Sequence, residues 1–227
     1  MAIDPALKTR IRGALIFGVI VLGGLYLGSI YFTSMMGAAA VCGIYEWCRM
    51  VVHEKKYRIP FMIAGSAYIG ISIGMMVWLR NGSEHGLYNM LTLLLIVWAS
   101  DISAYFSGKA IGGPKLAPVI SPKKTWAGFI GSSIGAAIVA AGLACPGLLE
   151  KFNLATIGDL SWAGYAVMGF ILAMFGQAGD LFISLFKRRY GVKDTGTIIP
   201  GHGGILDRID ALLLVALLFG TLALLLR

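Results

Sequence analysis

Apolar segments separated by short charged or glycine-rich connections follow one another along this chain of 227 residues. They predict seven membrane-spanning helices, because about 20 consecutive apolar residues suffice for a helix to cross a bilayer. The predicted spans lie near residues 13–33, 34–48, 61–79, 87–107, 125–146, 161–183 and 205–226. The pattern therefore predicts an all-α, multi-pass membrane protein whose polar cytoplasmic loops form the functional site.

The composition agrees with a chain that lies mostly in lipid. Hydrophobic residues make up 58% of it and charged residues 13%, against about 45–50% and about 25% in soluble domains. We expect one membrane-embedded domain over 1–227, with N-terminal spans in 1–86 and the candidate site in 87–227. The basic N-terminal segment precedes an apolar run too long for a cleaved signal, which indicates a retained first span.

The basic residues are divided unevenly between the two sides of the predicted bundle. With the N-terminus in the cytoplasm, the cytoplasmic side carries all of the 19 lysines and arginines except Arg80, Lys151 and Arg227. Such a division predicts the orientation of the protein in the membrane. It also explains the net charge of +8 without a role in nucleic-acid binding. A basic face suits anionic lipids and nucleotide phosphates. We therefore expect a protein of the inner, plasma membrane whose site faces the cytoplasm.

The first polar cluster lies in residues 98–128, WASDISAYFSGKAIGGPKLAPVISPKKTWAG. Asp101 stands within an apolar run, where a carboxylate costs about 2.5–3.5 kcal/mol and normally faces a polar cavity. The alternative is a hydrogen bond between helices. Two lysines and two hydroxyl residues stand at the start of the fifth predicted span, whose N-terminal amide groups favour anions: Ser121, Lys123, Lys124 and Thr125. Alternatively, these lysines only anchor the helix at the membrane surface.

The second polar cluster follows the sixth predicted span. If residues 179–190 are helical, Asp180, Ser184 and Lys187 share one helix face. Further along, Asp207 and Asp210 are three residues apart and project from one side of the last helix.

These carboxylates and cations together predict a metal-assisted phosphate site. Carboxylate oxygens suit Mg²⁺, and lysine and arginine suit phosphate oxygens. A salt-bridge network around Asp207 and Arg208 is the structural alternative, and His202 is either a general base or a loop hydrogen-bonding residue. Glu46, deep in the second span, has no partner that the sequence identifies; Arg49 is one candidate.

The run 184–210, SLFKRRYGVKDTGTIIPGHGGILDRID, resembles the signature of the CDP-diacylglycerol synthases, also called phosphatidate cytidylyltransferases. The matching residues are Ser184, Lys187, Arg188, Lys193, Asp194, Pro200, His202, Gly203, Gly204, Asp207, Arg208 and Asp210. The stretch 100–128 is similar to a second characteristic region of that family. Ala127 departs from it, because family members often have an acidic residue there.

The resemblance implies transfer of a cytidylyl group from CTP to phosphatidate, which yields CDP-diacylglycerol and pyrophosphate and depends on Mg²⁺. It implies metal ligands at Asp180 and Asp207, and catalytic roles for Asp101, Lys187 and Asp210. The implied substrate-binding residues are Ser121, Lys123, Lys124, Thr125, Ser184, Arg188, Lys193, His202, Gly203, Gly204 and Arg208. A second, monovalent cation and a homodimer are compatible with the family, and no nucleic acid is implied.

Two alternatives stay open. A CTP-dependent polyprenol or lipid kinase would also bind a triphosphate but would transfer the γ-phosphoryl group. A cation-coupled transporter would account for Asp101 and for glycine-broken segments, since both also mark ion paths.

Overall fold

The computed structural model describes residues 16, 18–82, 85–144, 160–198 and 203–225. These residues form seven helices and one two-stranded antiparallel sheet. The helices are α1 Gly18–Leu27, α2 Ser29–Val51, α3 Arg58–Asn81, α4 Gly86–Ala110, α5 Trp126–Leu143, α6 Trp162–Arg189 and α7 Leu206–Leu225. The strands are β1 Lys115–Ala117 and β2 Ser121–Thr125.

Five of the described helices, α3 to α7, are long and apolar enough to cross a membrane. They confirm the last five predicted spans in position. The predicted total of seven spans is not reached in the described residues, because α1 has too few residues and α2 is not among the helices that are long and apolar enough to cross a membrane. The described part of the chain is therefore a multi-pass helical bundle, and the fold is α-helical apart from the small sheet.

The boundary between the first two helices differs from the prediction. The chain breaks at Gly28 rather than between residues 33 and 34. Gly28 has a φ of 101°, which glycine adopts far more readily than other residues. Near this break Arg80 Nε donates a hydrogen bond of 3.0 Å to the carbonyl of Leu25. The end of α1 and the end of α3 therefore lie together.

The connection before α5 is a β-hairpin, where the sequence predicts a loop rich in glycine, proline and lysine. Lys115 pairs with Thr125 and Ala117 with Ser121. Thr125 ends the second strand and caps α5, because its Oγ1 accepts a hydrogen bond of 3.1 Å from the backbone N–H of Gly128. The two lysines of the SPKKT segment are therefore extended residues just before the helix.

Small residues allow α4 and α5 to approach each other closely. A Cβ atom at Gly131 would overlap the side chain of Ser107, and one at Gly135 would overlap Ser103. Such small-residue contacts are typical of helix pairs in membranes, where close van der Waals packing drives association. This packing sets the hairpin and the polar end of α4 beside α6.

The last turns of α6 extend beyond a lipid core. Its 28 residues give a length of about 42 Å at about 1.5 Å per residue, against a hydrocarbon thickness of about 30 Å. Trp162 begins the helix with its side chain 69% exposed, as expected at a membrane interface. Lys187, Arg188 and Arg189 end it. The long helix thereby carries its charged end out of the apolar layer.

Candidate active site

Three of the basic connections meet at one end of the bundle. Arg188 Nε donates a hydrogen bond of 3.1 Å to the carbonyl of Ile120 in the hairpin turn. Arg189 forms an ion pair of 2.8 Å with Glu54, which lies between α2 and α3. The same-side placement of these connections agrees with the charge distribution.

Glu54 also accepts hydrogen bonds from the backbone N–H of Lys56 and from the Tyr190 hydroxyl. Burial raises the pKa of Glu54, but these two hydrogen bonds and the Arg189 guanidinium outweigh it and hold the pKa below its usual value. Glu54 therefore stays ionised at neutral pH and keeps the end of α6 attached to the α2–α3 connection.

A cavity of about 350 Å³ opens between α4, β2, α5 and α6, a volume within the usual range for small-molecule sites. Its lining combines two carboxylates, three lysines and two aromatic rings with small and polar residues. The lining residues are Asp101, Ala104, Tyr105, Gly108, Lys109, Lys123, Lys124, Thr125, Gly128, Phe129, Gln177 and Asp180. The cavity can therefore bind cations and anions together.

Asp180 is held in this cavity by side chains from two elements. Lys124 Nζ lies 2.6 Å from Asp180 Oδ2 and also donates a hydrogen bond of 2.7 Å to Gln177. The Ser184 hydroxyl donates a hydrogen bond of 3.1 Å to Asp180 Oδ1. The predicted shared face of Asp180 and Ser184 is thus confirmed. Sequence reasoning did not single out Gln177, one turn before Asp180.

Asp101 lines the same cavity from α4, and its side chain is exposed there. Lys109 and Lys123, also exposed, line it from α4 and β2. A membrane-depth carboxylate that faces a polar cavity is what the sequence predicts for Asp101. Its catalytic role stays a prediction.

Asp207 lies in a second polar cluster between α6 and α7. Lys187 Nζ contacts Asp207 Oδ1 at 2.7 Å, and the two side chains are 9% and 5% exposed. Asp207 Oδ2 accepts hydrogen bonds from the backbone N–H groups of Thr195 and Gly204, at 2.7 and 3.0 Å, and one of 3.0 Å from the Thr195 hydroxyl. Protein donors therefore engage both carboxylate oxygens.

Glu46 belongs to this second cluster, and Arg49 is not its hydrogen-bond partner. Its carboxylate accepts hydrogen bonds from the backbone N–H groups of Ile205 and Leu206 and from the Thr195 hydroxyl. Sequence reasoning missed this role, and it missed Thr195. The signal that could have found Glu46 is its position, because an ionisable residue within a predicted membrane span is by default a candidate functional residue.

Asp210 lies one turn after Asp207 on α7, half-buried, and accepts a hydrogen bond of 2.8 Å from the backbone N–H of Ala211. A Cβ atom at Gly179 would lie 2.8 Å from the Asp210 carbonyl oxygen. This close approach of α6 and α7 sets Asp210 beside the helix turn that carries Asp180. The structure therefore connects the two polar clusters at one helix crossing.

The other predicted substrate-binding residues occupy varied positions. Lys193 and Arg208 are exposed and Ser121 is half-buried. Gly203 has a φ of 85°, a conformation that favours glycine. Thr125, as the cap of α5, is committed to a structural contact. Pro200 and His202 lie outside the described residues.

Several apolar helices, with a cavity lined by both acidic and basic side chains at one end of the bundle, define a multi-pass membrane protein. The chain matches the family model described as "Cytidylyltransferase family" over residues 52–226. The protein belongs to this cytidylyltransferase family.

Three relatives show the range of similarity, and each is named phosphatidate cytidylyltransferase. The relative from Brucella abortus biovar 1 (strain 9-941) is 43% identical over 169 residues, which cover 74% of this chain and 59% of the relative. The relative from Rickettsia bellii (strain RML369-C) is 38% identical over 187 residues, covering 82% and 77%. The relative from Staphylococcus aureus (strain COL) is 44% identical over 168 residues, covering 71% and 59%. The matched segment thus spans 59% of the length of the Brucella and Staphylococcus proteins.

Proposed function

We propose that the protein is a phosphatidate cytidylyltransferase that converts CTP and phosphatidate to CDP-diacylglycerol and pyrophosphate. The observation that carries the proposal is the cavity, which brings Asp101 and Asp180 together with three lysines at one end of a membrane bundle. It lies within the family-matched segment. One substrate is a lipid with its phosphate at the membrane surface and the other is a soluble nucleotide. A site at the ends of membrane helices suits both.

The reaction is a displacement at the α-phosphorus of CTP. A phosphate oxygen of phosphatidate forms the new bond to this phosphorus, and the bond to the bridging oxygen of the pyrophosphate breaks. Pyrophosphate leaves with the electron pair. Phosphatidate is already anionic at neutral pH, so a strong general base is not needed. Catalysis of such transfers is mostly positioning and charge stabilisation.

The lysines of the cavity would neutralise the negative charge of the nucleotide's phosphates. Lys109 and Lys123 are exposed on its wall and are available to phosphate oxygens. Lys124 neutralises Asp180 in the structure. Three further cations are exposed nearby: Arg188 in the last turn of α6, Lys193 after that helix and Arg208 at the start of α7. These cations would bind the triphosphate and stabilise the departing pyrophosphate.

Mg²⁺ is the proposed cofactor. Of its two predicted ligands, Asp180 suits the ion better than Asp207. This ion usually takes one or two carboxylates with phosphate and water oxygens, so it needs no larger cluster. Asp180 fits because its side chain is 34% exposed on the cavity and already binds a cation, Lys124. Asp207 would have to exchange a protein donor for the ion, because Lys187, Thr195 and Gly204 engage its oxygens. Mg²⁺ would supply positive charge against the triphosphate.

The site is proposed to face the cytoplasm, where CTP is present. The support is the asymmetry of basic residues together with the meeting of three basic connections at one end of the bundle.

The experiment that tests the activity uses purified protein in mixed micelles with CTP, phosphatidate and Mg²⁺. We expect pyrophosphate release that requires the lipid. Release without phosphatidate, or none with it, would contradict the proposal. An Asp180→Ala protein is the matched control for contaminating pyrophosphate-releasing enzymes.

A further inference from the structure

Glu46 is a buried carboxylate that neither the family match nor the proposed reaction accounts for. It lies in α2, before residue 52, where the family match begins, and it is 1% exposed. A buried carboxylate is costly unless it is hydrogen-bonded. The structure surrounds Glu46 with donors from a segment far along the chain.

Both oxygens of Glu46 accept hydrogen bonds from the segment around the start of α7. Oε1 accepts one of 3.0 Å from the backbone N–H of Ile205. Oε2 accepts two of 2.9 Å, from the backbone N–H of Leu206 and from the Thr195 hydroxyl. The first N–H groups of a helix have no partner within the helix and carry its positive dipole end. Glu46 therefore caps α7 from another helix.

Two glycines show that the segment is shaped around this carboxylate. A Cβ atom at Gly196 would lie 2.5 Å from Glu46 Oε1, and one at Gly204 would overlap Glu46 Oε2. Any larger residue would push the carboxylate away. Gly196 follows the end of α6 and Gly204 precedes the start of α7, so Glu46 holds the chain at both of these places.

Thr195 links Glu46 to Asp207. Thr195 Oγ1 lies 2.9 Å from Glu46 Oε2 and 3.0 Å from Asp207 Oδ2. A hydroxyl has one hydrogen, so it donates to one carboxylate at a time. The Thr195 N–H separately donates to Asp207. Movement of Glu46 would therefore release the residues that hold Asp207.

We propose that Glu46 is a positioning residue for the reaction, which fixes Thr195, Gly196 and residues 204–206 and, through Thr195, the orientation of Asp207. The proposal rests on the proposed function, and it extends the functional part of the protein into the N-terminal helices. Glu46 acts through the loop and does not itself touch substrate.

The test compares wild-type protein with Glu46→Gln. Glutamine keeps the size of the side chain but replaces one acceptor oxygen with an N–H donor, which would face the donors of Ile205, Leu206 or Thr195. We expect kcat to fall about tenfold or more while KM for CTP stays within about threefold, since a positioning loss acts on the transition state. Backbone hydrogen exchange in segment 195–206 should become faster.

Met50→Ala is the matched control for a general loss of stability. Met50 is buried on the same helix, at 5% exposure, and its truncation removes packing without touching the hydrogen bonds of Glu46. It should lower the melting temperature but leave kcat and the exchange of segment 195–206 unchanged. If Met50→Ala reproduces both effects of Glu46→Gln, the role of Glu46 is merely structural.

Thr195→Val is the milder variant if Glu46→Gln does not fold. Valine keeps the size of threonine and deletes only the hydroxyl. A folded Thr195→Val protein should lose about fivefold in kcat, with faster exchange in segment 195–206.

Unchanged kcat or unchanged exchange in a folded variant would overturn the proposal. If the wild-type protein forms no CDP-diacylglycerol, the proposed function fails, but the exchange measurement still decides whether Glu46 holds the segment.

Discussion

Lys187 Nζ and Asp207 Oδ1 lie 2.7 Å apart between α6 and α7, with the two side chains 9% and 5% exposed. Removal of one partner from a buried pair leaves an uncompensated charge and typically costs about 3–5 kcal/mol. The same carboxylate accepts hydrogen bonds from Thr195 and Gly204. This pair therefore joins two membrane helices, and its carboxylate holds Thr195 and Gly204, which lie between them.

The first prediction concerns the stability that this pair contributes. Lys187→Met should lower the thermal stability of the detergent-purified protein, by about 3–5 kcal/mol, because Asp207 stays buried and loses its counter-ion. Lys187→Met with Asp207→Asn should recover part of that loss. Arg189→Ala is the control: its side chain is 49% exposed in an ion pair with Glu54, so it should cost only about 0–1 kcal/mol. Equal losses in the two single variants would contradict the buried pair.

The second prediction separates Lys187 from Arg189 in catalysis. Lys187→Ala should lower kcat/KM by about 10²-fold or more, on the order of 3 kcal/mol, because it removes charge and order next to Asp207. Arg189 points away to Glu54, so Arg189→Ala should have little effect. The measurement varies CTP at fixed phosphatidate. Similar losses would show that the two faces of α6 do not differ in function.

The third prediction concerns the metal. Asp180→Ala and Asp207→Ala should each abolish turnover while leaving membrane insertion intact, because carboxylates are the natural ligands of Mg²⁺. Asp180→Asn should also raise the Mg²⁺ concentration needed for half-maximal activity, whereas Glu54→Gln should not. If Asp207→Ala keeps more than a tenth of wild-type activity at saturating Mg²⁺, Asp207 is not a metal ligand. Its hydrogen bonds to Thr195 and Gly204 would then be its whole role.

The fourth prediction concerns orientation. Single cysteines at Val119 and Ile198, 87% and 49% exposed, should resist an impermeant thiol reagent in intact cells because both loops face the cytoplasm. A cysteine at Asn81, at the far end of α3, should react. The background protein lacks the three native cysteines. Labelling of both loops from outside would show that they face away from the cytoplasm. Cytoplasmic CTP could then not reach the site.

The sequence predicts much of the bundle, because long apolar runs have few alternatives to a membrane helix. It also predicts the shared face of Asp180 and Ser184, since helical spacing alone decides that. The break at Gly28 is not predicted, because an apolar run continues through it. The contacts of Glu46 with Ile205 and Leu206 are not predicted either. They join segments about 160 residues apart, and no local pattern encodes such a contact.

The hairpin before α5 shows a different limit. Two short strands within a loop rich in glycine, proline and lysine lack the alternating pattern that identifies a strand. Their pairing, Lys115 with Thr125 and Ala117 with Ser121, is therefore seen only in the structure. The cap that Thr125 forms at the start of α5 is likewise not predicted from the sequence.

The position of the label transferred from CTP tests the central claim most directly. Purified protein is incubated with phosphatidate, Mg²⁺ and CTP labelled either at the α-phosphate or at the γ-phosphate, and the lipid product is extracted and counted. A cytidylyltransferase breaks the bond beyond the α-phosphorus, so we expect α-label in the lipid and γ-label in pyrophosphate. Label in the lipid only from γ-labelled CTP would identify a kinase, and CTP left unconsumed would contradict the account altogether.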